Sequence, residues 1–131
     1  MSNVLFVCVA NSGRSVMAER LFWHVAGTRH AARSAGSQPG PAPHPKVVAA
    51  LREVGVDATD HVPQILTDEL VEWADVVVAT CDDACSVVPG KRYVNWQLPD
   101  PKHRPIDEVR AIRDDSVGRV DDLAAELDAT T

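Results

Sequence analysis

Short apolar runs alternate with helical patterns along this chain, and this alternation limits the fold more than length or composition does. Residues 3–8 contain a continuous apolar run that is typical of a buried strand. Residues 14–26 carry apolar side chains at helical spacing, and residues 76–79 form a β-branched run typical of a buried parallel strand. The sequence therefore predicts an α/β fold in three layers, a four-stranded parallel sheet with helices on both faces.

Turn and cap residues predict the other elements. These are two strands, two short helices and a long C-terminal helix, at residues 32–36, 92–96, 47–54, 68–73 and from 105 onward. Gly55 can terminate the first short helix, Thr67 is suited to cap the second, and Pro105 fits the first position of the long helix. The proline-rich stretch 36–45 predicts an ordered loop. The length of 131 residues suits one domain over residues 1–131.

Composition and charge argue against several classes of function. The net charge of −6 disfavours binding to nucleic acid or to an anionic membrane, since both need a basic surface. No segment approaches the roughly 18 apolar residues of a membrane span. No signal-peptide pattern precedes Val4, so we expect a cytoplasmic protein. The three cysteines do not suggest a disulfide framework, and we expect neither a cofactor nor a metal ion.

The loop between the first strand and the first helix is the main candidate for chemistry. It opens at Cys8, and Arg14 and Ser15 close it in the pattern Cys-x5-Arg-Ser. The loop can point its backbone N–H groups inward, where they and the helix dipole form a cradle for a tetrahedral oxyanion. The guanidinium of Arg14 can hold two oxyanion oxygens, and these positive surroundings favour the thiolate of Cys8. The predicted oxyanion-binding set is Val9, Ala10, Asn11, Ser12, Gly13, Arg14 and Ser15. The alternative is a buried strand-end cysteine beside a solvated arginine.

Two further clusters are expected at the same edge of the sheet, because sites gather at the carboxyl ends of parallel strands. Asp100 lies between two prolines, which restrict the backbone and can aim the carboxyl group. A protonated Asp100 can donate to an oxygen that leaves the atom attacked by Cys8. Cys81 and Cys85 follow the strand at 76–79 and predict a thiol pair that resolves an adduct on Cys8. The alternatives are a capping aspartate, a weak zinc half-site and two incidental cysteines.

The segment 8–19 resembles the signature of the low-molecular-weight protein tyrosine phosphatase superfamily, and more closely its arsenate reductase branch. Other segments are similar to the same branch, at 34–36, 54–57, 74–78, 81–84, Trp96 and 100–101. The resemblance covers nearly the whole chain, and these motifs are jointly specific.

The resemblance implies the steps of a reaction. Arsenate sits in the Cys8 loop, held by backbone N–H groups and by Arg14. Cys8 attacks arsenic while Asp100 protonates the leaving oxygen. In such proteins Asn11 shapes the loop and Ser15 supports the thiolate. A second thiol then attacks Cys8 and releases arsenite.

The resemblance leaves the source of the second thiol open. In thioredoxin-coupled members this thiol stands at the position that Cys81 occupies here, and a third cysteine presents the disulfide to thioredoxin. That third cysteine usually lies farther along, directly before a proline. This chain has Cys85 instead and places Val88 before Pro89. A small thiol such as mycothiol, with mycoredoxin, is therefore the alternative reductant.

Two other functions stay open from the sequence. A phosphatase of the same fold usually has aromatic residues after its acid, whereas residues 102–104 are Lys, His and Arg, which favours a small inorganic oxyanion. A non-enzymatic oxyanion-binding or redox-sensing module would need the cradle but no acid. We also expect the protein to be a monomer. The five histidines are expected on the surface or at helix caps, and Trp96 is expected beside the site.

Overall fold

The computed structural model describes residues 1–80 and 92–130 of the chain. Over these residues the element order is β1 (Asn3–Cys8), α1 (Arg14–Ala26), β2 (Ala31–Gly36), α2 (Pro45–Arg52), α3 (Asp68–Trp73), β3 (Val76–Ala79), β4 (Arg92–Asn95) and α4 (Ile106–Thr130). This order confirms the alternation of strands and helices that the sequence predicts.

The four strands form one parallel sheet in the order β2-β1-β3-β4. β1 lies inside the sheet, since Val4 pairs with Ala32 on one side and with Val76 on the other. On the far side of β3, Ala79 pairs with Asn95 of β4. Because every strand runs in the same direction, all four carboxyl ends meet at one edge of the sheet.

Side chains of β1 point alternately to the two faces of the sheet, as the pleat requires. Val4 and Phe6 enter the larger core, which α1, α2 and α4 cover. Leu5 and Val7 enter the smaller core, where Leu70 of α3 packs. Helices therefore cover both faces, and the predicted three-layer α/β architecture is confirmed.

Trp96 belongs to the larger core, which corrects the expectation that it lies beside the site. Its ring centroid lies 5.7 Å from that of Phe6, and only 6% of the residue is exposed. Trp96 directly follows β4, and its side chain enters the core. A large indole stabilises the fold most when it is buried against other rings.

Cap residues set two of the helix boundaries. The Thr67 hydroxyl accepts a hydrogen bond from the Leu70 N–H at 3.2 Å, which confirms the predicted cap of α3. α2 ends at Arg52, and Gly55 terminates it as predicted, since the Gly55 N–H donates to the Arg52 carbonyl and the Val56 N–H to the Leu51 carbonyl, both at 3.0 Å. Gly55 adopts φ 79° in this turn, a left-handed conformation that glycine accepts without a Cβ clash. Within residues 1–80 and 92–130, no helix is both long and apolar enough to cross a membrane.

Candidate active site

Cys8 is the last residue of β1, and α1 begins at Arg14, so the residues between them form the predicted loop. β1 has β2 on one side and β3 on the other, which places Cys8 in the middle of the carboxyl edge. The thiol lies at the floor of the site, because Cys8 is only 3% exposed. We call residues 8–15 the Cys8 loop.

The sulfur of Cys8 is surrounded by hydrogen-bond donors. The Asn11 N–H donates to Sγ at 3.2 Å, and the Ser15 hydroxyl lies 2.8 Å from it. The Ser15 Oγ already accepts from the Asn11 Nδ2 at 2.9 Å, which leaves its own hydrogen free to point to the sulfur. Donors of this kind stabilise the negative charge of a thiolate more than a neutral thiol.

Asn11 ties the Cys8 loop to its surroundings. It is fully buried and adopts φ 50°, a left-handed conformation that asparagine tolerates better than most residues. Its Oδ1 accepts from the Gln64 N–H at 3.0 Å, while its Nδ2 holds Ser15. One side chain therefore fixes both the backbone turn beside the sulfur and the hydroxyl that supports the sulfur.

The carbonyl groups of the Cys8 loop point outward to neighbouring segments. The carbonyls of Val9, Ala10 and Ser12 each accept a backbone N–H from residues 38–44, at 2.8 Å. In a planar trans peptide the N–H points opposite to the C=O. The amide hydrogens that follow these carbonyls are therefore directed inward, as the cradle requires.

Gly36 allows this close approach at the end of β2. A Cβ at this position would collide with the carbonyl oxygen of Val9 and would lie 2.9 Å from the Asn11 nitrogen. Only glycine fits there, so the strand next to Cys8 can lie against the loop.

A buried pair of side chains, His61 and Glu19, supports the Cys8 loop from behind. The His61 ring donates from Nε2 to the Asn11 carbonyl at 2.9 Å, since a carbonyl can only accept. The other ring nitrogen lies 3.9 Å from the Glu19 carboxylate. Burial raises the pKa of Glu19, while the Ser34 hydroxyl, His61 and Arg20 counteract that rise. His61 and Glu19 are 7% and 4% exposed, so this support lies inside the protein.

Asp100 follows β4, the strand at one edge of the sheet, and reaches the same site. It lies in residues 98–101, which we call the acid segment. Its Oδ2 lies 4.0 Å from Arg14 Nη2, and Arg14 Nη1 donates to the Leu98 carbonyl at 3.3 Å. The Lys102 N–H donates to the other carboxylate oxygen of Asp100 at 3.0 Å. The Asp100 side chain is 58% exposed, whereas that of Arg14 is 10% exposed.

The Cys8 loop, the acid segment and residues 40–45 enclose a cleft of about 470 Å³. Its outer wall is rich in proline, and within the described part of the chain no Phe, Tyr or Trp lines it. His44 lines the cleft and caps α2, because its Nδ1 accepts from the Lys46 N–H at 3.3 Å. The ring proton of neutral His44 is therefore on Nε2. Burial, followed by the nearby positive charge of Lys46, lowers the pKa of His44.

The structure thus brings Cys8, Arg14 and Asp100 to one cleft. Of the predicted oxyanion-binding set, Val9, Ala10, Ser12, Gly13 and Arg14 line this cleft, whereas Asn11 and Ser15 are fully buried beside the sulfur. Cys81 and Cys85 lie outside the described residues. Among residues 1–80 and 92–130, no group of three or more His, Cys, Asp or Glu side chains is arranged to hold a metal ion.

Sequence reasoning missed three supporting residues, namely Glu19, Gly36 and His61. His61 is buried, and so is His30, which corrects the expectation that all five histidines lie on the surface or at caps. His44 does cap a helix, as expected. Glu19 and Gly36 could have been found, because both fall inside the segments 8–19 and 34–36 that resemble the family. The resemblance alone did not indicate what either residue does.

Comparisons with known proteins agree with this geometry. The family model described as low molecular weight phosphotyrosine protein phosphatase matches residues 3–131. An arsenate reductase of Staphylococcus epidermidis is 30% identical over 116 residues, which cover 86% of this chain and 88% of that protein.

Two solved structures resemble the chain over nearly its whole length. A thioredoxin-dependent arsenate reductase of Corynebacterium glutamicum has a TM-score of 0.85 and 37% identity, covering 100% of this chain. The chain spans 64% of the length of that protein. An arginine phosphatase of Geobacillus stearothermophilus also has a TM-score of 0.85, with 25% identity, covering 99% of this chain and 95% of that one.

Proposed function

Because the chain belongs to the low molecular weight phosphotyrosine protein phosphatase family, we propose that it is an arsenate reductase that works through a covalent Cys8–arsenic adduct. Residues 1–131 act as one domain and as a monomer in this proposal. A cytoplasmic setting suits the reaction, because the cycle consumes thiols that the cytoplasm keeps reduced.

In the first step the Cys8 loop binds arsenate. The inward amides and the Arg14 guanidinium hold its oxygens, and the thiolate of Cys8 attacks arsenic. The S–As bond forms as an As–O bond breaks, and the leaving oxygen takes a proton from Asp100 and departs as water. The 4.0 Å between Arg14 Nη2 and Asp100 Oδ2 supports these roles, since both groups must reach the same small anion.

In the second step a further thiolate attacks the sulfur of Cys8. A disulfide forms, the electron pair of the S–As bond goes to arsenic, and arsenic leaves as arsenite in the lower oxidation state. Within the chain, Cys81 is our candidate for that thiol and Cys85 for its exchange partner, with thioredoxin as reductant. A small thiol such as mycothiol, with mycoredoxin, is the other candidate.

One observation above all favours arsenate over an aryl phosphate, namely the cleft wall. In the part of the chain that the structure describes, it is formed by the Cys8 loop, residues 40–45 and residues 100–102, and it carries no Phe, Tyr or Trp to hold a phenyl ring. Arsenate has no aromatic ring, so its binding needs no aromatic side chain in the wall. Relatives that are named arsenate reductases support the same choice.

A phosphatase is the second candidate, because one structural neighbour is an arginine phosphatase. It would use the same Cys8 attack on phosphorus, with Asp100 protonating the leaving group and water resolving the phosphocysteine.

The deciding experiment measures arsenate-dependent NADPH consumption with two reducing systems, thioredoxin with its reductase and mycothiol with mycoredoxin. Hydrolysis of an aryl phosphate and of phosphoarginine is measured in parallel. Turnover with thioredoxin supports Cys81 and Cys85 as an internal relay. Turnover with mycothiol alone leaves Cys8 as the essential thiol. Efficient hydrolysis with no arsenate reduction would refute the reductase proposal.

A further inference from the structure

Half of the residues in the acid segment lack the N–H donor that holds ordinary backbone in place. Pro99 and Pro101 flank Asp100, and neither has an N–H to donate. The Asp100 side chain is mostly exposed, so packing does not fix it either. Leu98 and Pro101 are buried and anchor the two ends of the segment by packing, but the backbone carbonyl of Asp100 between them needs a donor from elsewhere.

Arg104 provides that donor. Its Nε donates to the Asp100 carbonyl at 2.7 Å, and its backbone N–H donates to the Pro101 carbonyl at 3.2 Å. The turn that it closes contains His103 at φ 65°, a left-handed conformation that costs energy in a residue other than glycine. Contacts at both ends of the turn offset that cost and keep the Lys102 N–H directed at Asp100.

Arg104 is in turn connected to α2. Lys46, in the first turn of that helix, donates from Nζ to the Arg104 carbonyl at 2.6 Å. The residue that precedes α2 is joined to the Cys8 loop, since the His44 N–H donates to the Ser12 carbonyl at 2.8 Å. The start of α2 is therefore a common support for the Cys8 loop and for the acid segment.

We propose that Arg104, supported by Lys46, is a positioning residue that holds Asp100 at the distance from the Cys8 loop that proton transfer needs. The inference rests on the proposed function, because it concerns the proton donor of that reaction. Arg104 acts by holding the backbone carbonyl of Asp100. In this proposal it contributes to the rate neither through its positive charge nor through contact with the oxyanion. Misplacing a reacting group by about 1 Å can cost roughly a hundredfold in rate.

The test is a double-mutant cycle on the single-turnover rate of arsenite formation at saturating arsenate. We expect Arg104→Ala to lower that rate about ten- to hundredfold. If Arg104 works through Asp100, the double variant is no slower than Asp100→Asn alone, so Asp100→Asn costs at most about tenfold in the Arg104→Ala protein, against about a hundredfold in the wild-type protein. Full additivity of the two losses would overturn the proposal.

Arg104→Lys separates position from charge. Lysine keeps the positive charge but lacks the guanidinium Nε–H that reaches the Asp100 carbonyl. We expect it to be nearly as slow as Arg104→Ala, while phosphate still protects Cys8 from alkylation at the wild-type concentration. A wild-type rate for Arg104→Lys would overturn the proposal in favour of an electrostatic role. Arg119→Ala is the matched control, since Arg119 pairs with Asp115 on α4, away from the cleft.

A second readout does not depend on any reaction. The Lys102 N–H bonded to Asp100 Oδ1 should exchange with solvent deuterium at least tenfold faster in Arg104→Ala than in the wild-type protein, as followed by NMR. Unchanged exchange would overturn the positioning role. If the wild-type protein reduces no arsenate, the proposed function fails, and this exchange measurement still decides the role of Arg104.

Discussion

The Cys8 loop and the acid segment serve one small anion, yet they are built in opposite ways. Asn11, Ser15 and Cys8 are almost completely buried, and three hydrogen bonds connect their side chains and backbone. Asp100 is mostly exposed, and its segment is held by guanidinium groups that reach its carbonyls. The attacking group is therefore preorganised by the interior, whereas the carboxyl group that donates the proton is exposed, and its backbone carbonyl is held by the partly exposed Arg104.

The difference follows from what each group must do. A thiolate in a dry site gains from donors that are fixed before the substrate arrives, since they need no reorganisation in the transition state. A proton donor must recover its proton from solvent after each turnover, so exposure serves it. Mutations at the two reacting groups should consequently fail in different ways: changes in the Cys8 loop disturb folding and chemistry together, whereas changes of the exposed Asp100 side chain disturb chemistry alone.

The largest effect is expected from Cys8→Ser. It should abolish arsenite formation, because a serine hydroxyl beside these donors is a far weaker nucleophile than a thiolate. Arsenite formation measured in single turnover, and phosphate binding measured by calorimetry, check this prediction. Phosphate should still bind to Cys8→Ser, because the substitution leaves the loop backbone unchanged and the smaller oxygen atom does not obstruct the site. Undiminished arsenite formation in Cys8→Ser would refute the covalent scheme.

Asn11→Ala should have the next largest effect and should disturb both stability and rate. It removes the side-chain bonds to Ser15 and Gln64 and leaves a left-handed backbone that alanine disfavours. We expect a loss of about 3 kcal/mol in the free energy of unfolding, from buried groups left without partners. Urea denaturation measures this loss, and the single-turnover rate measures the damage to the site.

Asn11→Gly is the matched control, because glycine accepts φ 50° but also lacks the side chain. If it is as unstable as Asn11→Ala, the hydrogen bonds account for the loss. If it is as stable as the wild-type protein, the idea that the Asn11 side chain fixes the Cys8 loop is wrong.

Asp100→Asn should have a smaller effect, limited to chemistry. We expect the arsenite-forming rate to fall about a hundredfold while arsenate binding is retained. The free energy of unfolding should change by less than about 0.5 kcal/mol, because the side chain is exposed and an amide oxygen can still accept from the Lys102 N–H. A large loss of stability would contradict the contrast between the two regions, and an unchanged rate would contradict the role of Asp100 as the proton donor.

The sequence predicts what depends on local patterns. β1 and α1 have the predicted bounds because their apolar residues follow the strand and helix periods. The meeting of Cys8 with Asp100 could also be predicted, since parallel strands share a carboxyl edge. His61 could not be predicted, because it reaches Asn11 across 50 residues and no periodicity marks such a contact. The prediction for Trp96 was wrong for a similar reason, because an indole can either pack in a core or line a cleft and no local pattern distinguishes the two.

The smallest predicted effect concerns the support behind the Cys8 loop and appears only as pH changes. Burial raises the pKa of Glu19 above its usual value, so the folded state favours the protonated form. The stabilisation is complete below the pKa of Glu19 in the unfolded chain and is lost as pH rises through its folded pKa. Replacing Glu19 with Gln removes this titration. The free energy of unfolding of Glu19→Gln, minus that of the wild-type protein, should therefore increase with pH over that window, as measured by urea denaturation at a series of pH values.

An exposed glutamate provides the control of opposite sign, and it tests whether burial is the cause. Arg110 and Arg113 hydrogen-bond to Glu53 and lower its pKa to about 2. Its stabilisation is present above the unfolded pKa and is lost as pH falls toward about 2. The free energy of unfolding of Glu53→Gln, minus that of the wild-type protein, should thus become more negative as pH rises from about 2 to neutral. The same difference for Glu19→Gln should become more positive as pH rises. If both variants show the same trend with pH, the difference between a buried support and a surface contact does not govern these two carboxylates. The wider contrast between the Cys8 loop and the acid segment would then lose its electrostatic basis, because Glu19 is the ionisable group that the interior places behind the nucleophile.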